Sequence, residues 1–118
     1  MREIKFRAWV KDATTGEWHM CNRVRWLDLD NQRICTESGM QPDEFVLMQY
    51  TGLKDKNGRE IYEGDIVTGL FNYTGIIGYI VYGSDATFFI ERKGLYGIGL
   101  NNAEDWLEII GNIHEEEK

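Results

Sequence analysis

The chain has 118 residues, 42% hydrophobic and 28% charged, with 13 Gly and a single Pro, Pro42. That suits one compact domain, or two small subdomains sharing a core, stable without disulfides or a structural metal. A formal net charge of −7 disfavours a dense polyanion such as duplex DNA as partner, unless basic side chains gather on one face.

From the N-terminus, Ile4, Phe6 and Ala8 alternate with Lys5, Arg7 and Trp9, the period-two pattern of a strand. Ala13-Thr14-Thr15-Gly16 supplies turn chemistry, and Glu17 to Asn22 returns, so Ile4–Cys21 reads as a hairpin. Val24, Trp26, Leu27 and Leu29 continue the β pattern, Asp30-Asn31 turns, and Gln32 to Thr36 comes back antiparallel. Glu37 to Asp43 is a loop. Phe45 to Met48 is a strand feeding Tyr50. Asn57-Gly58 predicts a type I′ turn, with positive φ at both residues. Ile61-Tyr62 is a brief strand, Glu63-Gly64-Asp65 a turn, and Ile66-Val67 opens the next strand. Gly75 to Tyr82 and Thr87 to Arg92 form a hairpin around Gly83-Ser84-Asp85. Asn101 or Asn102 is placed to cap a helical turn over Ala103-Glu104-Asp105. Leu107 to His114 closes as a strand, bulged at Gly111.

Closely spaced short strands predict a mainly β chain, a small barrel with at most a short helical turn near 102–106. The expected division is an N-terminal β-hairpin region, 1–44, and a barrel region, 45–118. Cys21 and Cys35 form no C-x-x-C pair, the N-terminus lacks a signal-peptide core, and no apolar run reaches membrane length. The expected setting is a cytoplasm that keeps thiols reduced.

Asp55-x-Asn57-Gly58 has the look of a calcium loop, but with Gly58 at position six Glu63 falls one residue short of the bidentate position. Glu60, Glu63 and Asp65 crowd one segment, but each flanks a turn where acids are normally solvated, so acid–base catalysis is not expected. His19 and Cys21 share a strand face. With Cys35 and His114 they make zinc conceivable, but nothing in the spacing demands it. Gly94-x-x-Gly97-x-Gly99 lacks the following helix of a dinucleotide site. No catalytic constellation and no cofactor are expected.

The aromatics are the stronger candidates: Trp9, Trp18, Trp26, Tyr50, Tyr62, Phe71, Tyr73, Tyr79, Tyr82, Phe88, Phe89 and Tyr96. Most belong in the core. Those facing outward suit base stacking or a protein interface, and the charge balance favours protein.

The opening MREIKFRAWV, the central LMQYTGLKDKNGREIYEGDIV and the closing EIIGNIHE resemble the YopX family, small proteins of bacteriophages and prophages. One departure is Val10, where the family pattern has an acid. The resemblance implies a β-rich fold, SH3-like in its C-terminal part, in a bacterial host. It brings no catalytic residues. It implies that the central motif is a structural signature carried by Tyr50, Gly52, Asn57, Gly58, Ile61, Tyr62, Gly64, Asp65 and Val67.

The expected function is therefore a non-enzymatic phage or prophage accessory protein of unknown role. It would bind a protein partner and itself as a homo-oligomer, away from membranes. The alternative is a nucleic-acid-binding module, with Arg2, Arg7, Arg23 and Arg25 on phosphates and Trp9, Trp18 or Trp26 stacking on bases.

Overall fold

The structure is a computed structural model and describes residues 5–12, 14–28, 30–83, 87–92, 94–95 and 97–116. Ile4, Arg2, Ala13, Leu29, the turn residues Ser84 and Asp85, Tyr96 and the tail residue Glu117 lie outside the described residues. The chain divides into two compact units, one up to Gln49 and the other from Tyr50 onward.

The first unit begins with β1 (Phe6–Lys11) and β2 (Trp18–Cys21), the expected hairpin, with Ala8 opposite Cys21 and Lys11 opposite Trp18. Its turn is organised by Asp12, whose Oδ1 accepts from the N–H groups of Thr14 (2.7 Å) and Thr15 (3.2 Å). β3 (Val24–Asp28) and β4 (Arg33–Thr36) form a two-stranded antiparallel ribbon. The Asp30-Asn31 turn joining them is held by Asp28, whose carboxylate accepts from both the backbone and the side chain of Asn31. The first half of β5 (Phe45–Lys54) pairs with the other edge of β1, Val10 opposite Phe45 and Phe6 opposite Gln49. Ala8, Val10 and Ile34 are the buried centre of this unit, covered by Cys21, Val24, Leu27, Met40, Phe45 and Leu47. β1 is paired on both edges, by β2 and β5, and its second face is closed by an aromatic pair. Trp9 is buried and stacks on Trp18 at 6.4 Å between ring centroids.

Pairing with β1 explains why the first half of β5 belongs to the first unit. That pairing ends at Gln49; Tyr50 then faces Tyr62 of the next strand, and the register shifts before Lys54 meets Glu60, across Gly52, whose φ is 88°.

In the second unit the end of β5 pairs with β6 (Glu60–Tyr62). β7 (Asp65–Phe71), β8 (Thr74–Tyr82), β9 (Phe88–Glu91), β10 (Ile98–Gly99) and β11 (Glu108–Asn112) form one antiparallel sheet, ordered β10-β9-β8-β7-β11 and curled as a half-barrel. β-branched and aromatic side chains dominate β7 and β8, as a pleated surface prefers. The inner face carries Val67, Ile76, Ile80, Phe88, Ile90 and Ile109, closed by Ile61, Ile98, Leu100 and Leu107. Gly78 marks where strands crowd: a Cβ there would lie 2.5 Å from the carbonyl oxygen of Glu91. The fold is mainly β, as expected.

Three local expectations are corrected. Only Gly58 of the Asn57-Gly58 pair has positive φ, 81°, so the turn is not type I′. The Gly58 N–H donates to the Asp55 carbonyl and the Asp55 N–H to the Arg59 carbonyl, a three-residue loop ending in a left-handed glycine. The two-residue turn with both φ positive lies instead at Asn72 (51°) and Tyr73 (66°), joining β7 to β8. Near the C-terminus, α1 (Ala103–Trp106) sits where a helical turn is expected, but Asn102 gives it no side-chain cap because it is left-handed, φ 58°. The last strand stops at Asn112, whose Oδ1 accepts the His114 N–H and starts α2 (Ile113–Glu116).

Candidate functional site

Two buried aspartates hold backbone groups of the central motif. Asp55 is 1% exposed. Its Oδ1 accepts from the N–H groups of Asn57 and Arg59, both at 2.9 Å, and its Oδ2 from the N–H of Ile109 at 3.0 Å, 54 residues away. It thereby ties the 55–59 loop to β11. Burial alone would raise its pKa, but the three N–H groups and the Arg59 charge outweigh that and hold it below the ordinary value. Asp65 is equally buried and accepts from the Tyr62 N–H (2.8 Å) and from Asn112 Nδ2 (3.2 Å). The reading of Asp65 as a solvated turn acid is thus corrected: its carboxylate faces inward because the Tyr62–Asp65 turn has a donor for it to bind.

The remaining motif residues fall in with these two. Ile61 and Val67 are core, and Tyr50 and Tyr62 are buried with ring centroids 5.4 Å apart. Gly64 has φ 85°, where a side chain is strained. Its N–H donates to the Ile80 carbonyl and its own carbonyl accepts from Ile113. Glu60 and Glu63 are half-buried, but Asp65 turns away into the hydrogen bonds above.

The N-terminal basic and aromatic candidates are brought together only in part. Arg23, Arg25 and Trp26 are exposed on and beside β3, where the register shifts between Val24 and Trp26 and leaves Arg25 as the extra residue. Arg7 is half-buried in β1 opposite Met48, and Trp9 is buried against Trp18. The exposed acid Glu37 donates its N–H to the Arg23 carbonyl, which puts negative charge beside the group.

His19 Nε2 lies 3.7 Å from Cys21 Sγ, but burial pushes the Cys21 thiol pKa up, the opposite of what a nucleophile needs. Cys35 is buried and donates to the Thr36 carbonyl. Among the described residues no group of three or more His, Cys, Asp or Glu is placed to hold a metal ion.

A different surface draws attention. Between Asp65 and Asp85 the chain has no charged residue, and this run builds β7 and β8. The strand register puts Ile66, Thr68 and Leu70 of β7 beside Tyr79, Ile77 and Gly75 of β8, on the face opposite the core. Val81 and Phe89 continue it across to β9, and Tyr79 neighbours Glu91, to which its hydroxyl donates. That bond and the Glu91 charge raise the Tyr79 pKa. Leu70 is 70% exposed, Ile77 61% and Ile110 of β11 48%. A cleft of about 840 Å³ lies at the β9 margin, lined by Tyr79, Phe89, Glu91, Arg92 and Leu95, with Gly94 and Gly97 at its wall. The absence of charge over this run was the sequence signal for this face, and strand periodicity alone passes over it.

The family model described as YopX protein matches residues 5–118. No curated protein matches the chain. Among solved structures, the crystal structure of protein EF1440 from Enterococcus faecalis is similar, at 32% identity and a TM-score of 0.68, with 100% of this chain and 98% of that chain covered. Among the described residues no helix is long and apolar enough to cross a membrane.

Proposed function

The chain belongs to the YopX family, and we propose that it is a non-enzymatic accessory protein of a phage or prophage, acting in the bacterial cytoplasm by binding protein and itself. The observation that carries this reading is the outer face of β7 and β8, where a run without charge leaves Leu70 and Ile77 mostly in water. Contiguous exposed apolar surface on a chain this charged marks an interaction site. Tyr73 at the hairpin tip is fully exposed in a left-handed conformation costly for its side chain, as suits an aromatic held out for contact. The two buried aspartates are spent on backbone N–H groups and the Asn112 amide, which leaves the motif a structural part in this reading.

The test is capture of binding partners from host lysate after nuclease treatment, with wild type and with Leu70→Lys. Specific proteins retained by wild type and lost by the variant are expected. Equal capture by both proteins would contradict a role for this face.

The nucleic-acid reading is favoured by one observation, the joint exposure of Arg23, Arg25 and Trp26 at the β3 bulge. It requires affinity for single- or double-stranded nucleic acid that falls steeply with salt and is lost in Arg25→Ala. Undetectable binding at low salt would remove it.

A further inference from the structure

We infer that a second copy of this chain packs on the outer face of β7, β8, β9 and β11, sheet face on sheet face, about a two-fold axis parallel to the strands and between β7 and β8. This rests on the protein-binding reading and names the partner and the contact.

The face is self-complementary in shape. Sheets packed face to face keep their strands roughly aligned, and a two-fold interface uses the same patch twice. An axis between β7 and β8 sets β7 of one copy over β8 of the other. Leu70, 70% exposed, then stands over Gly75, where even an added Cβ would meet nothing within 4 Å. Leu70 is a knob and Gly75 a hole at the same level of the sheet, since the two are register partners. By the same register Ile77 stands over Thr68, and Tyr79 over Ile66.

Charge points the same way. Two copies of a −7 chain repel over most approaches. The centre of this face has no charge, and charged side chains stand only toward β11 and β9. Lys56 and Glu108 lie 3.7 Å apart on the β11 side, and Glu91 stands on β9 beside Tyr79. The proposed axis brings β11 of one copy over β9 of the other, so the charges of each copy gather toward the rim and stay out of the centre.

The area is adequate. The exposed Leu70, Ile77, Leu95 and Ile110, with the half-buried residues between them, offer on the order of 500 Å² of apolar surface. A stable interface needs about 800 Å² per partner, and the charged margins supply the rest.

The experiment is sedimentation equilibrium of the full chain from low to high micromolar concentration, for wild type, Ile77→Lys and Gly75→Leu. Gly75 has open space above it and no positive φ, so Gly75→Leu keeps the protomer fold while filling the hole. Circular dichroism checks that fold in both variants. A wild-type dimer whose dissociation constant rises at least tenfold in both folded variants is expected. A wild-type dimer indifferent to Ile77→Lys and Gly75→Leu would overturn this interface while leaving self-association standing. A wild type that stays monomeric would overturn the second copy as occupant. Loss of host capture in Leu70→Lys would then still uphold the protein-binding reading.

Discussion

Replacing Asp55 by Asn keeps the side chain's shape and removes one of its two acceptors. Wild-type Oδ1 serves Asn57 and Arg59 while Oδ2 serves Ile109. An amide satisfies one set only and turns its NH₂ toward the other donor. The Ile109 N–H is buried, so leaving it unpaired costs about 1–3 kcal/mol, and losing charge from the remaining bonds adds about 1 kcal/mol. The expected loss for Asp55→Asn is about 2–3 kcal/mol, and for Asp55→Ala about 3–4 kcal/mol. The pH dependence gives a second readout. The Asp55 pKa is lowered on folding, so its stabilisation is complete above the unfolded value of about 3.9 and is lost as pH falls through the folded value. Wild type should therefore lose stability below about pH 4 more steeply than Asp55→Asn, which has no carboxylate there to protonate. Urea unfolding at neutral and acid pH, followed by circular dichroism and by fluorescence of Trp106, the one tryptophan after Tyr50, measures both effects. A variant within about 0.5 kcal/mol of wild type, with the same acid limb, would refute the role assigned to this carboxylate.

Two further substitutions probe the β7–β8 hairpin. Gly78→Ala drives a Cβ against the Glu91 carbonyl oxygen, a backbone atom with no freedom to swing away. A loss of about 1–3 kcal/mol in urea unfolding is expected, and an unchanged midpoint would contradict the close approach. Tyr73→Gly relieves about 1–2 kcal/mol of left-handed strain and gives back about 0.5–1 kcal/mol in unfolded-chain entropy. A net gain in stability with weaker dimerisation or partner capture is the expected pair of results, and a destabilised variant would contradict the strain.

Much of this arrangement is legible in the sequence because local pattern and tertiary environment agree. Alternation at Phe6–Val10, the Asp30-Asn31 turn and the apolar runs of β8 and β9 each predict what forms. The misreadings occur where a side chain binds distant backbone. Nothing local indicates that Asp55 reaches Ile109 or that Asp65 reaches Asn112, so Asp55 reads only as part of a turn and Asp65 as a solvated acid. Asn57-Gly58 is the strongest type I′ signal in the chain, but Asp55 holds the Asn57 and Arg59 N–H groups in a different loop. The type I′ geometry falls to Asn72-Tyr73, where Tyr occupies a position that glycine would fill without strain. The candidate site was hidden for another reason. An outward Ile or Leu in a strand looks like a core residue until the register shows which face it occupies, and only the missing charge between Asp65 and Asp85 marks the outer face in advance.

The most direct test of the central claim, that the outer face of β7 and β8 is the working surface, is hydroxyl-radical footprinting of side chains at low and high protein concentration and with captured partner. Leu70, Ile77 and Tyr79 should lose reactivity on association while Trp26 on β3 stays as reactive as before. Protection of Trp26 with Leu70 and Ile77 unchanged would contradict the claim and move the working surface to the β3 bulge.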